Sequence, residues 1–166
     1  MKRLFPLFLV LFFIFCGCKG SRNIDIVSEN LSFTATVYKD GNPSVFNVKI
    51  DRNGSFSLEQ ASNDKGYILK YRFSDDKVTV CYGKLEHTSP VSSLGKGNII
   101  AFLPEVYKEI RTKNLKAKQE DNNFIISSKT ENYDFSLYVG QSGLPLKLTD
   151  QRNNITIEFS NPTIEN

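Results

Sequence analysis

Apolar and polar residues alternate strictly along much of this chain, a pattern typical of half-buried β-strands. The first run alternates apolar side chains with serine and threonine over positions 31–37. The same rhythm returns at 46–50, 56–58, 67–73, 78–82, 124–126, 133–139, 144–148 and 155–159. Short turn signals separate the runs, among them Asn53-Gly54, a dipeptide favoured in tight hairpins. The pattern predicts antiparallel strands joined by short connections.

The period changes once, in the middle of the chain. Leu103, Val106, Tyr107 and Ile110 follow the i, i+3, i+4, i+7 spacing of one helix face. Pro104 suits the first position of a helix, and Asn114 can close the last turn. We therefore predict one helix between two groups of strands.

The combined pattern predicts a mainly β (α+β) fold class. Each strand has one apolar face, which favours a single curved antiparallel sheet. We expect about ten strands, with one clear helix packed on the concave face of the sheet.

The first residues form a separate segment. Lys2 and Arg3 precede an apolar run over 4–15, which is shorter than the roughly 20 residues of a membrane-spanning helix. Cys16-Gly17-Cys18 closes the run, and a cysteine after a small residue resembles the bacterial lipoprotein cleavage site. The resemblance implies cleavage before Cys18 and diacylglycerol on its thiol, with an uncleaved anchor as the alternative.

This interpretation divides the chain into three parts. Residues 1–17 are the predicted lipoprotein signal peptide, 18–29 the lipidated cysteine and its tether, and 30–166 the β domain. The domain is then expected on the extracytoplasmic face of the cell membrane, held by its N-terminal diacylglycerol. Diacylglycerol supplies two acyl chains, which hold a protein firmly, so we expect the domain to stay with the membrane fraction.

Composition limits the classes of function. The chain has 21 basic and 18 acidic residues. Lys2 and Arg3 would leave with the predicted signal peptide, so the mature chain is nearly neutral. It contains no basic block, and we predict no nucleic-acid partner. Its length suits one domain with a core of its own.

Candidate chemistry is sparse. His87 is the only histidine, no second ligand stands at zinc-site spacing, and no G-x-S-x-G or phosphate-loop pattern occurs. We therefore predict no enzyme, no metal site and no cofactor, with His87 as an exposed loop residue. Cys81 lies in a strand-like run, where it is expected to pack as a small apolar residue.

The order of strands, helix and strands over 31–159, with the C-terminal hairpin GLPLKLTDQRNNITIEFSN, resembles the lipoprotein-localisation superfamily. That superfamily includes LolA, LolB, LppX and RseB proteins. The resemblance implies that the curved sheet of about ten strands is an unclosed half-barrel around an apolar cavity that takes a lipid or acyl chain. The short, Asn- and Lys-rich chain is also similar to germination lipoproteins of spore-forming clostridia, the GerS group, which implies a cell-wall amidase as protein partner.

Aromatic residues dominate the predicted inner faces of the strands, and the helix stripe faces them. The candidate ligand-binding residues are Phe33, Phe46, Phe56, Tyr67, Tyr71, Phe73, Phe135, Phe159, Leu103 and Tyr107. They form either a filled core or a partly open groove for an acyl chain or an apolar peptide segment. The sequence therefore predicts a non-enzymatic binding lipoprotein that carries a lipid or other hydrophobic ligand. The alternative is a protein-interaction module, an envelope sensor or amidase activator, that uses the unpaired strand edges.

Overall fold

The computed structural model describes residues 30–60 and 68–165, which form one antiparallel sheet and one α-helix. The predicted lipid site Cys18 and the aromatic Tyr67 lie outside these ranges. The strands are β1 (Asn30–Lys39), β2 (Asn42–Ile50), β3 (Phe56–Gln60), β4 (Leu69–Ser74), β5 (Lys77–Tyr82), β6 (Leu85–Pro90), β7 (Lys118–Glu120), β8 (Asn123–Lys129), β9 (Asp134–Val139), β10 (Pro145–Asp150) and β11 (Ile155–Glu165).

The sheet is open. Its strand order is β6-β5-β4-β3-β2-β1-β11-β10-β9-β8-β7, so β6 and β7 are its two edges and the first and last strands meet in the middle. The eleven described strands and the helix confirm the predicted mainly β class and the unclosed sheet.

The central strand β1 shows why the alternation succeeds as a signal. Its inner residues are almost completely buried, whereas its serines and threonines are partly exposed on the other face. Phe33 stands opposite Val48 on β2, and Val37 stands opposite Ile157 on β11. Cross-strand pairs of this kind set the register, because a slip by one residue would turn every apolar side chain to solvent.

The helix α1 (Ile99–Lys113) begins earlier than Pro104 indicates. Asn98 is its N-cap, and the Asn98 side chain accepts a hydrogen bond from the Ile100 amide at 2.8 Å. Pro104 therefore lies inside the helix, where it cannot donate to the carbonyl of Ile100. The predicted end is confirmed, because Asn114 adopts the left-handed conformation with φ 47° as the C-cap.

The helix stripe and the inner face of the sheet form one hydrophobic core. Phe102 packs on Tyr133 with ring centroids 4.8 Å apart, and Phe56 packs on Tyr107 at 5.3 Å. These contacts attach α1 to the β8–β9 turn on one side and to β3 on the other. A 3₁₀ turn (Val91–Leu94) leads from β6 towards the helix.

One acidic side chain is buried among the described residues. Asp150, at the end of β10, is 2% exposed. Its carboxylate accepts hydrogen bonds from the amides of Asp134 at 2.9 Å and Arg152 at 3.0 Å, and from the Asn153 side chain. The Asp150 carboxylate thereby pairs with donors of the β10–β11 turn and connects this turn to β9.

Candidate functional site

A cavity of about 800 Å³ opens between α1 and one end of the sheet. The β2–β3 hairpin, the β4–β5 turn and the start of the 3₁₀ turn form its walls on the sheet side, and the middle of α1 forms the opposite wall. Ligand pockets commonly measure about 300–1,000 Å³, so its size suits a small molecule or a single chain.

The β2–β3 hairpin is shaped by a glycine. The Gly54 amide donates to the Asp51 carbonyl at 2.8 Å, and Gly54 has φ +87°, a conformation that favours glycine. A side chain at Gly54 would also collide with the guanidinium of Arg111, which lies against the hairpin. Gly54 thus lets the helix cation approach the backbone at the rim of the cavity.

The opposite side of the rim carries an ion pair. Lys108 on α1 donates to the carboxylate of Asp76 in the β4–β5 turn, with 2.7 Å between nitrogen and oxygen. The hydrogen bond and charge of Lys108 lower the pKa of Asp76. Both side chains are largely exposed, so the pair spans the rim without closing it in a buried contact.

The inner wall of the cavity is aromatic. Phe56, Phe73 and Tyr107 are each at most 5% exposed and line the cavity. The hydroxyl of Tyr107 is shielded from solvent and has no hydrogen-bond partner within the part of the chain that the structure describes. Burial raises the pKa of Tyr107, so the hydroxyl stays protonated and can both donate and accept.

Polar groups meet where the cavity passes under α1. Asn132, in the β8–β9 turn, lines the cavity, and its Oδ1 is likewise buried without a partner among the described residues. Nearby, the Tyr133 hydroxyl and the Glu105 carboxylate lie close enough to shift each other's pKa. Burial is the main cause that raises the pKa of Glu105, opposed in part by Tyr133 and Lys108. A smaller cavity of about 280 Å³ lies on the other side of the helix and shares Glu105 and Asn132.

The described members of the predicted ligand-binding set divide into four groups. Phe56, Phe73 and Tyr107 line the large cavity, and Phe135 borders the small one. Tyr71 is partly buried against the core. The remaining described members pack in the closed core; they are Phe33, Phe46, Phe159 and Leu103. There the rings of Phe33 and Phe159 meet edge to face at 4.9 Å.

The polar side chains that line the cavity are not among the candidate residues predicted from the sequence. No motif marks Asn132, Glu105, Lys108 and Arg111. The spacing that reveals the apolar stripe of the helix does not predict what the neighbouring residues on the helix surface contact. Lys108 and Arg111 are exposed in the helix but lie at the rim of a cavity. The turn signal at Asn53-Gly54 indicated the β2–β3 hairpin, which forms part of the cavity wall.

The other reactive side chains are remote from the cavity. His87 is exposed as predicted, but it lies in the edge strand β6 and not in a loop. Cys81 is half-buried rather than a core residue, and its thiol lies 3.6 Å from Glu86. The described residues contain no group of three or more His, Cys, Asp or Glu side chains placed to hold a metal ion. Within 30–60 and 68–165, no helix is long and apolar enough to cross a membrane.

Comparison with known proteins places the fold and leaves the function open. No family model matches the chain. No curated protein matches it either. An uncharacterised conserved protein from Thermus thermophilus matches with a TM-score of 0.55 at 10% identity, covering 87% of this chain and 84% of that chain. This match shows a shared fold.

Two further solved structures match at lower TM-scores. A LolA superfamily protein from Nitrosomonas europaea gives 0.41 at 7% identity, covering 87% of this chain and 90% of that chain. MucB in the MucA/MucB complex of Pseudomonas aeruginosa gives 0.37 at 14% identity, covering 86% of this chain and 54% of that chain. The chain thus spans about half the length of the MucB chain.

Proposed function

We propose that this protein is a non-enzymatic binding lipoprotein that takes an amphipathic or hydrophobic ligand into the cavity beneath α1. The observation that carries the proposal is the cavity of about 800 Å³ with an aromatic inner wall, set beside the hydrophobic core. Apolar walls with a few polar groups are the usual make-up of small-molecule sites.

The position of Asn30, where β1 begins, supports a ligand that comes from the membrane. The side-chain oxygen of Asn30, the first residue of β1, accepts a hydrogen bond from the Arg52 amide at 3.0 Å. Asn53 and Gly54, which follow Arg52, line the cavity. The segment from Cys18 to Asn30 spans at most about 40 Å when fully extended. With a lipid on Cys18, the start of β1 beside the rim would therefore stay within about 40 Å of the bilayer surface.

The test of ligand binding is to fill the cavity. Ser92→Trp adds a bulky side chain at its wall, and Ser142→Trp adds the same side chain in the exposed β9–β10 turn. Native mass spectrometry of each protein, extracted from membranes, should show bound lipid in the wild type and in Ser142→Trp, and loss of it in Ser92→Trp. A wild-type protein with no bound small molecule contradicts the carrier function.

The membrane anchor has its own test. Cys18→Ala should abolish diacylglycerol labelling and prevent normal lipoprotein processing, because the thiol that carries the lipid is removed. Cys16→Ala is the matched control and should keep both properties. Labelling that persists in Cys18→Ala would place the lipid elsewhere.

A second candidate function, a protein-interaction module, is favoured by the β6 edge. Five of the six β6 residues are exposed, and Leu85 is 73% exposed. The other edge, β7, has three residues and carries Lys118 and Glu120, which discourage strand pairing. The β6 edge therefore offers a longer and more apolar place for a partner strand.

Crosslinking separates the two candidates. A photo-crosslinker at Leu85 should capture one defined protein in native cells if β6 binds a partner strand, and His87→Pro should abolish the product by interrupting the edge. The same crosslinker in the Ser92→Trp protein tests whether the edge works without the cavity. Absence of any specific crosslink at Leu85 would remove the interaction module.

A further inference from the structure

Two cations line the large cavity within the described ranges, and they differ in their partners. Lys108 is paired with the Asp76 carboxylate, with 2.7 Å between nitrogen and oxygen. Arg111, three residues further along α1, forms no ion pair or hydrogen bond with another described residue. Arg111 is also exposed, so its guanidinium is accessible and keeps its donors for a ligand in the cavity.

The β2–β3 hairpin shows where the Arg111 guanidinium lies. A Cβ atom at Gly54 would collide with Nη1 of Arg111, so this nitrogen lies directly beside the Gly54 backbone. Arg111 and Gly54 both line the cavity. The free cation is therefore placed at the rim, between the hairpin and α1.

The aromatic wall begins one helical turn from this cation. Tyr107 precedes Arg111 by four residues, which places both on one face of α1 about 6 Å apart along the helix axis. Phe56 follows Gly54 by two residues, and its ring packs on Tyr107 with centroids 5.3 Å apart. The helix and the hairpin thus meet twice, at an exposed cation on the rim and at a buried aromatic pair. Val91, which is partly exposed, adds apolar surface to the same cavity.

The carboxylates of the cavity wall lie on other elements or on another turn of the helix. Asp75 and Asp76 line the cavity from the β4–β5 turn. Glu105 lies six residues before Arg111, about 9 Å away along the helix axis. Like charges repel, so an anionic group is disfavoured beside these carboxylates and favoured at Arg111. The charge distribution therefore favours one orientation of an anionic amphiphile.

We propose that Arg111 binds the anionic head group of a single-chain amphiphile, whose alkyl chain lies along the aromatic wall of Phe56, Phe73 and Tyr107. This inference rests on the proposed carrier function and adds the class of ligand and its orientation. A guanidinium offers two parallel donors that fit two oxygens of a carboxylate or of a phosphate. The shared chemistry is therefore an alkyl chain with an anionic oxygen group, which fatty acids and lipid phosphates both have.

The first test compares three probes with the same twelve-carbon chain, which are dodecanoate, dodecyl phosphate and the neutral monolauroylglycerol. Each is titrated into the full-length protein below its micellar concentration and followed by isothermal titration calorimetry. We expect at least one anionic probe to bind about tenfold more tightly than monolauroylglycerol. A preference for dodecanoate identifies a fatty acid as the source, and a preference for dodecyl phosphate identifies a lipid phosphate. Equal or tighter binding of monolauroylglycerol overturns the proposal.

The second test removes the cation. Arg111→Gln should raise the dissociation constant of the preferred anionic probe about tenfold and leave monolauroylglycerol binding unchanged. The unchanged neutral probe shows that the variant is folded and its cavity intact. Arg52→Gln is the matched control, because Arg52 lies on the same hairpin but is not part of the cavity lining. It should leave the binding of all three probes unchanged.

The outcomes separate this inference from the carrier function. If Arg111→Gln binds the anionic probes as the wild type does, or if Arg52→Gln weakens them equally, Arg111 is not the head-group site and the proposal is wrong. The carrier function stands in both cases, because the probes still bind the wild type. If no probe binds the wild type, the carrier function itself fails.

Discussion

The two outer parts of the sheet have the same pattern of alternating residues and very different surroundings. In the C-terminal wing, β8 to β10, the inner residues Ile126, Leu137 and Leu148 are completely buried. In the N-terminal wing, β4 to β6, Val78 is buried, but Val80 on the same strand is only partly covered and Leu85 on the edge is 73% exposed. Register places Val78, Val80 and Leu85 on one face.

The helix accounts for the difference. On the C-terminal side, Phe102 of α1 packs on Tyr133, and the Ser128 hydroxyl donates to Glu109 at 3.3 Å. On the N-terminal side, α1 reaches the β4–β5 turn through the exposed pair of Lys108 and Asp76, with the cavity in between. One wing therefore supplies stability, and the other leaves space and an open face for binding.

The largest difference in stability between the wings should come from replacing one inner leucine by alanine in each of them. Leu137→Ala removes buried methyl groups from β9 and should lower the free energy of unfolding by about 2–5 kcal/mol. Leu85→Ala is the matched change on the inner face of β6 and should cost less than about 0.5 kcal/mol. Denaturant titration measures both. Equal losses would show that the N-terminal wing is covered as well as the C-terminal wing.

The next effect concerns the buried carboxylate of the C-terminal wing. Asp150→Asn replaces Oδ2 by an amide that faces the Asn153 donor, and it removes the charge from the bonds to Asp134 and Arg152. We expect a loss of about 1–3 kcal/mol in the free energy of unfolding. Asp76→Asn is the control from the other wing, where the exposed ion pair should contribute no measurable stability. A stable Asp150→Asn protein would show that the turn does not depend on this carboxylate.

The smallest effect is a pH dependence at the boundary between the wings. Burial raises the pKa of Glu105 above its ordinary 4.5, so the folded state holds this proton more firmly than the unfolded state. Stability contributed by Glu105 is therefore present below pH 4.5 and declines as pH rises through the folded pKa. Glu105→Gln keeps the size of the side chain, removes the titrating group and should remove this decline.

The measurement for Glu105 is the difference in unfolding free energy between wild type and Glu105→Gln as a function of pH. The difference isolates this carboxylate from those that titrate in the opposite sense, such as Asp76, whose pKa is lowered. The wild type should lose stability relative to the variant as pH rises. A flat difference would indicate that the Glu105 side of α1 is as well solvated as the rim.

Local signals predicted the local structure well. The alternation at 31–37 placed Phe33 and Val37 on the buried face, and Asn114 ended the helix as expected. Pro104 misled the prediction of the helix start, because a proline tolerated inside the helix gives the same local signal as one at the first turn. The cap that sets the start, Asn98, is one of several asparagines in the chain and carries no distinguishing pattern.

The sequence by itself determined that this chain forms antiparallel strands with one helix between them, because strand and helix periods are written in neighbouring residues. Only the tertiary structure decided that Phe33 fills the core while Phe56 and Tyr107 line a cavity. Alternation in the sequence indicates which face of a strand is apolar. Whether that face is buried depends on where α1 packs. Tyr107 and Asn132 are distant in the chain and come to line the same cavity only once the helix has docked.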